Sequence, residues 1–200
     1  MEKLKLTVKP EEFFQERVAK AIGNQKIALS SEVEFYLVRL LCDFISPNEV
    51  ETANGQFSVF DVPLTLLLKE ALESPAAQKL KIYKVLGDTS LYISGYFQDF
   101  FNSKTFDMSY YVQLGANAYE NLSNLHREKM PPQSGVFVDL SKNFSRLVDI
   151  VAEVAEEINP AKDTNLLSLY ERWTKTQSDR LRRKLENSGI VPAQVSKILQ

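Results

Sequence analysis

Apolar residues in this chain recur at three- and four-residue spacing, and stop signals interrupt the pattern at intervals. The clearest run is Phe137, Leu140, Phe144, Leu147, Val148, Val151, Val154, Ala155 and Ile158, which lays an apolar stripe along a helix over 136–158. A half-buried strand needs period two, so this spacing restricts the chain to helices that bury one face. Seven glycines and eight prolines among 200 residues leave room for long helices.

The stop signals divide the chain. Pro10 with Glu11 and Glu12 suits a first helical turn, and Gly23-Asn24 ends that helix. Ser31-Glu32-Val33-Glu34 reads as a capping box opening a helix to about Ile45. Asn54-Gly55 is a turn dipeptide, so Phe57-Ser58-Val59-Phe60 is a short strand or extended loop. Asp61-Val62-Pro63 starts a helix to about Glu73, and Ser74-Pro75 starts another reaching Phe101, with a bend near Gly87. Asp107 caps a helix from Met108 to about His126, and Met130-Pro131-Pro132-Gln133-Ser134-Gly135 is the clearest loop. After the helix over 136–158, a last long one covers 165–187, closed by Ser188-Gly189. The expected fold is all-α: one domain over 1–200, a bundle of about seven or eight helices, with one irregular or short extended segment near 48–61. Segment 1–9 and tail 188–200 are peripheral.

Composition narrows the function classes. At 44% hydrophobic and 25% charged residues the chain is an ordinary soluble globular type. A net charge of −2 gives no global reason to bind nucleic acid or an anionic membrane. The charged start, Met1 to Leu6, lacks the apolar run of a signal peptide, and no stretch is apolar enough to span a bilayer. Cys42 alone forms no internal disulfide. These features point to the cytoplasm.

Between Leu91 and Tyr119 stand Tyr92, Tyr96, Phe97, Phe100, Phe101, Phe106, Tyr110, Tyr111 and Tyr119, among the small residues Gly87, Ser90, Ser94, Gly95, Gly115, Ala116 and Ala118. Small positions let two helix axes approach while rings fill the flanks, so this stretch is expected to form the structural centre. Gly95 and Gly115 are expected to share the close crossing.

The stretch Leu86-Gly87-Asp88-Thr89-Ser90-Leu91-Tyr92-Ile93-Ser94-Gly95-Tyr96-Phe97, followed by Asp107-Met108-Ser109-Tyr110-Tyr111-Val112-Gln113-Leu114-Gly115-Ala116-Asn117-Ala118-Tyr119, resembles a pattern in a bacterial family of uncharacterised helical proteins. The resemblance implies a mostly helical bacterial protein, and brings no activity or catalytic set with it.

Three readings of function follow. A non-catalytic interaction or regulatory module is favoured, because no HExxH, paired-cysteine, Walker or Glu-x-x-His pattern is present. Its partner would be a protein, with self-association an option, met through Phe57, Val59 and Phe60 or through Ile190, Val191, Val195, Ile198 and Leu199. No cofactor, metal site or catalytic residue is assigned. The second reading is a ligand-binding protein or enzyme with a pocket lined by Tyr92, Tyr96, Tyr111 and Tyr119, where Asp88 or Asn117 orients a polar group. The third is weak nucleic-acid binding through Arg172, Lys175, Arg180 and Arg183 on the last helix. His126 reads as a residue at a helix C-terminus, Cys42 as a small buried apolar group, and Glu153, Glu156 and Glu157 as a solvated face.

Overall fold

In the computed structural model, which describes residues 9–45, 49–52, 55–58, 63–98, 108–129, 131–158 and 166–192, the chain is an all-α bundle with one small hairpin. Its helices are α1 (Pro10–Gln25), α2 (Ser31–Asp43), α3 (Leu64–Glu73), α4 (Ala76–Tyr96), α5 (Met108–Lys129), α6 (Pro131–Lys142), α7 (Phe144–Ile158), α8 (Leu166–Thr176) and α9 (Asp179–Asn187). Strands β1 (Glu49–Thr52) and β2 (Gly55–Ser58) pair antiparallel, with Thr52 opposite Gly55, in the expected extended segment. Val59, Phe60, Asp61 and the Asp107 cap lie outside the described residues.

Nine helices stand among the described residues where seven or eight were expected, because junctions fall where apolar spacing gives no sign of them. The expected loop 130–135 is, from Pro131 onward, the first turns of α6. Prolines are tolerated there because first-turn N–H groups have no helical partner to lose. The expected helix over 136–158 divides at Asn143. Its side-chain amide donates to the Asp139 carbonyl at 3.0 Å, beside the backbone bond to the same acceptor. Backbone bonds Asn143 N to Asp139 O and Leu147 N to Asn143 O, both 3.0 Å, keep α6 and α7 nearly continuous.

The expected last helix also divides. Gln177 adopts a left-handed φ of 52°, and Ser178 caps α9 by accepting from Leu181 N at 3.3 Å. At the far end Gly189, φ 82°, closes α9 as anticipated: Ile190 N donates to Leu185 O at 2.9 Å and Gly189 N to Glu186 O at 3.0 Å.

Smaller corrections concern caps. α1 runs through Gly23-Asn24, and Lys26 takes the left-handed position, φ 54°, with Ile27 N donating to Ile22 O at 3.3 Å. The cap of α2 is Ser30, whose Oγ accepts from Val33 N at 3.4 Å, while Ser31 Oγ donates to Glu32. α4 starts at Ala76 and ends at Tyr96, short of Phe101, and is one helix through Gly87.

α4 is the central rod, packed against α2, α3, α5 and α7. Its glycines permit two separate crossings. A methyl group on Gly87 would lie 2.6 Å from Tyr119 Cε1, and one on Gly115 would lie 2.7 Å from Ser90 Cβ, so α4 and α5 meet there. Gly95 faces elsewhere: a methyl on it would lie 2.5 Å from Val151 Cβ and 3.1 Å from the Val148 carbonyl, both on α7. The expectation of one shared crossing is therefore corrected to two, with α4 pressed between α5 and α7.

Helix α7 buries Leu147, Val148, Ile150, Val151 and Val154 in the main core. Each fully buried aliphatic side chain is worth about 1.5–3 kcal/mol of transfer free energy. A second, smaller apolar cluster joins Leu169 and Trp173 of α8 to Leu181 and Leu185 of α9, with Ile190 packed on it. The C-terminal helix pair thus has a core of its own.

Candidate functional site

The tyrosine-rich centre is filled by rings. Tyr92 is buried, stacked on Phe44 at 4.1 Å between centroids and on Tyr96 at 5.1 Å. Tyr119 is closed to solvent and packs against Phe144 and Phe137. Asp88 gathers the polar groups: Tyr36 Oη donates to its Oδ1 at 2.5 Å, Tyr119 Oη to the same oxygen at 2.7 Å, and Lys84 Nζ to Oδ2 at 2.6 Å. Burial first, and then the Asp88 charge, push both the Tyr36 and Tyr119 phenols well above their ordinary range. Burial likewise pushes Tyr92 up to about 12. The Tyr36 and Tyr119 phenols stay protonated and donate to Asp88.

Of the six residues proposed for a tyrosine pocket, the structure brings Asp88 and Tyr119 into one hydrogen-bonded cluster and stacks Tyr92 on Tyr96. Tyr111 packs on the edge of the main core, with Tyr110 at 5.7 Å, and Asn117 is exposed. Tyr36, from α2, is the member that sequence reasoning missed. Its partner lies 52 positions away, and no local pattern announces it.

The C-terminal pair is held by ions. Glu156 on α7 accepts from Arg180 Nη1 at 2.6 Å and Lys184 Nζ at 2.6 Å, both on Oε2, and from Arg172 Nη2 at 3.3 Å on Oε1. Arg172 also donates to Gln98. Asp149, one helical stretch earlier on α7, accepts from Ser178 Oγ at 2.7 and 2.8 Å, with Arg180 Nε 3.7 Å away. Burial acts to raise Glu156, but the charges and hydrogen bonds of Arg180 and Lys184 outweigh it and hold that carboxyl at about 2. Asp149 goes the other way: burial raises it, and the more distant Arg180 only partly offsets this. The difference follows from geometry, since Glu156 has two cations at contact distance and Asp149 has a hydroxyl.

The solvated face expected for Glu153, Glu156 and Glu157 is therefore an intramolecular rail. Glu153 accepts from Asn24 Nδ2 at 2.7 Å and Gln25 Nε2 at 2.8 Å, and Glu157 from Lys20 Nζ at 3.2 Å. One edge of α7 thus holds α1 and the other holds α8 and α9. The four cations expected to meet nucleic acid from one last helix separate for the same reason. Arg172 and Arg180 are each 5% exposed and engaged with Glu156, while Lys175 and Arg183 face solvent. The break at Gln177 divides the continuous helix that was expected to carry them.

Open space lies beside this rail. A groove of about 990 Å³ runs between the C-terminal pair, the start of α5, the early turns of α7 and the loop after α1. Its cationic lining residues are Lys26, Arg146, Lys175, Arg180, Arg182 and Arg183, against Asp149, Asp179 and Glu186. Hydrophobic contributions come from Ile27, Val112 and Val148. Sequence gave one signal toward it, the basic run Arg180–Lys184; the other lining residues meet only in the fold.

The remaining singled-out residues are structural. His126 lies within the last turns of α5 with its ring stacked on Phe137 at 5.2 Å. Cys42 is half-buried, and burial raises its thiol, with Glu11 and Asp43 adding to this, so it is held as the unreactive thiol. Among the described residues, no group of three or more His, Cys, Asp or Glu side chains is placed to hold a metal ion, and no helix is long and apolar enough to cross a membrane. Val191 is exposed, Ile190 packs on the α8–α9 cluster, and Val195, Ile198 and Leu199 lie outside the described residues.

Comparison with protein-family models, with curated proteins and with solved structures gave no match.

Proposed function

We propose that this protein is a non-catalytic helical binding module that receives a protein partner in the groove under its C-terminal helix pair. The observation that carries the reading is the groove itself, about 990 Å³ of open space lined by mixed charge and a few apolar side chains. Protein interfaces combine these ingredients, with long polar side chains at the rim and apolar contact within. The wall formed by α8 and α9 supports the same reading. It rests on α7 through ion pairs and carries its own apolar cluster, so it can adjust without disturbing the main core. The resemblance of the central motif suggests a bacterial source. The reading that uses the tyrosines has less support, because rings occupy that space and the Tyr36 and Tyr119 hydroxyls are committed to Asp88.

The test is photo-crosslinking in the living cell, with a crosslinking side chain placed at Arg146 or Lys175 and, as a control, at exposed Glu73 on α3. A discrete protein adduct from the two groove positions and none from Glu73 is expected. Equal adducts from all three, or none from the groove, would overturn the proposal.

A further inference from the structure

Resting on the groove as the binding surface, we infer that its occupant presents an anionic oxygen group, a carboxylate or a phosphate, to Arg180, Lys175 and Arg146. The charges in the groove do not cancel. Of its three acids, Glu186 is paired with Arg182 at 2.9 Å, and Asp149 is engaged by Ser178 and faces Arg180. Lys26, Arg146 and Lys175 line the same space and form no ion pair among the described residues. Exposed cations without partners attract anions at long range and fix them weakly.

Arg180 supplies what surface charges lack. It lines the groove yet is only 5% exposed, and its Nη1 is spent on Glu156. Its buried Nη2 has no hydrogen-bond partner, nor does Nε beyond the 3.7 Å approach of Asp149. An unsatisfied donor of a buried guanidinium is costly, and an oxyanion is the group that satisfies it best. Two helix starts reinforce the choice: Met108 and Ser109 of α5, and Ser178, Asp179 and Arg180 around the first turn of α9, all line the groove. The first-turn amides of a helix carry partial positive charge. Asp179 sets the limit. A dense polyanion filling the groove would meet that carboxylate, whereas a compact anion between Arg180, Lys175 and Arg146 need not.

Two probes separate the sources of such an anion, inorganic pyrophosphate and a glycine-rich octapeptide carrying a single glutamate, each titrated into the full chain and followed by calorimetry and by amide shifts in ¹⁵N spectra. We expect at least one to bind with Kd of about 1 mM or tighter, a range typical of one or two charge-assisted contacts. Its shifts should centre on residues 175–183 and 145–149. Binding by the peptide alone assigns a carboxylate segment of a partner, and binding by pyrophosphate assigns a phosphate. The exposed pair Arg146→Ala/Lys175→Ala should weaken binding about tenfold or more with an unchanged melting curve, the two contacts together carrying about 1.4 kcal/mol or more. Failure of both probes, shifts mapping elsewhere, or binding indifferent to the double variant would overturn the inference. Crosslinks confined to Arg146 and Lys175 with both probes inert would remove the anion and leave the groove; loss of both would remove the groove itself.

Discussion

Arg180 donates from Nη1 to Glu156 Oε2 at 2.6 Å, and the two side chains are 5% and 16% exposed. This bond joins α9 to the centre of the bundle. Around it, Arg172 and Lys184 place two further cations on one carboxylate, so the ion pairs that dock the C-terminal pair gather on Glu156, with Asp149 holding Ser178 beside it.

Removing that carboxylate leaves the buried Arg180 guanidinium with only the 3.7 Å approach of Asp149. Glu156→Ala should cost about 3–5 kcal/mol, the range for breaking a buried ion pair from one side. Chemical denaturation would measure it. Lys184→Ala, at the more exposed edge of the same cluster, should cost about 1 kcal/mol or less.

The same carboxylate sets a pH dependence. Its folded pKa of about 2 lies below the ordinary 4.5, so the stability it contributes is present above the ordinary value. It is lost as pH falls from about 4.5 toward 2. Asp149 has the opposite sign: its carboxyl is raised, so it binds its proton more readily in the folded chain and offsets part of that loss. Melting curves across this range should show acid destabilisation in the parent chain and a clearly shallower slope in Glu156→Gln.

How much of this was legible in the letters depends on range. Apolar periodicity placed α2, α3, α5 and α7, because a buried face repeats along one helix. Junctions were less legible. Pro131-Pro132 signals a loop or a helix start equally well, and the apolar stripe passes straight over the turn at Asn143. Ser178-Asp179 after Thr176-Gln177 was a cap signature available to sequence, hidden by the continuing run of charged residues. The site was least legible. Glu156 takes partners 16, 24 and 28 positions away on two other helices, and a period along α7 shows only that it faces away from the core.

The glycine crossings give a packing prediction. Gly115→Leu should overpack Phe144 and Ser90, and Gly95→Leu should overpack Val151. Each should cost about 1–3 kcal/mol or more, and the exposed control Lys81→Ala should stay within about 0.5 kcal/mol. Because both glycines press on α7, Gly115 through Phe144 and Gly95 through Val148 and Val151, the paired variant should depart from additivity by about 0.5 kcal/mol or more in thermal denaturation.

The Asp88 cluster predicts the reverse, strong coupling. Tyr36→Phe and Tyr119→Phe each remove one donor to the same Asp88 oxygen. Each should cost about 1–3 kcal/mol, and a double-mutant cycle should return a coupling of about 0.5 kcal/mol or more, since the remaining phenol and Lys84 compensate unequally.

The most direct measurement is amide hydrogen exchange on the parent chain and on Glu156→Ala, read helix by helix. If one carboxylate seats the C-terminal pair and shapes the groove beside it, residues 166–187 should lose protection in the variant. The α4 amides, 76–96, should keep theirs. Unchanged protection in 166–187, or an equal loss in both segments, would contradict the account.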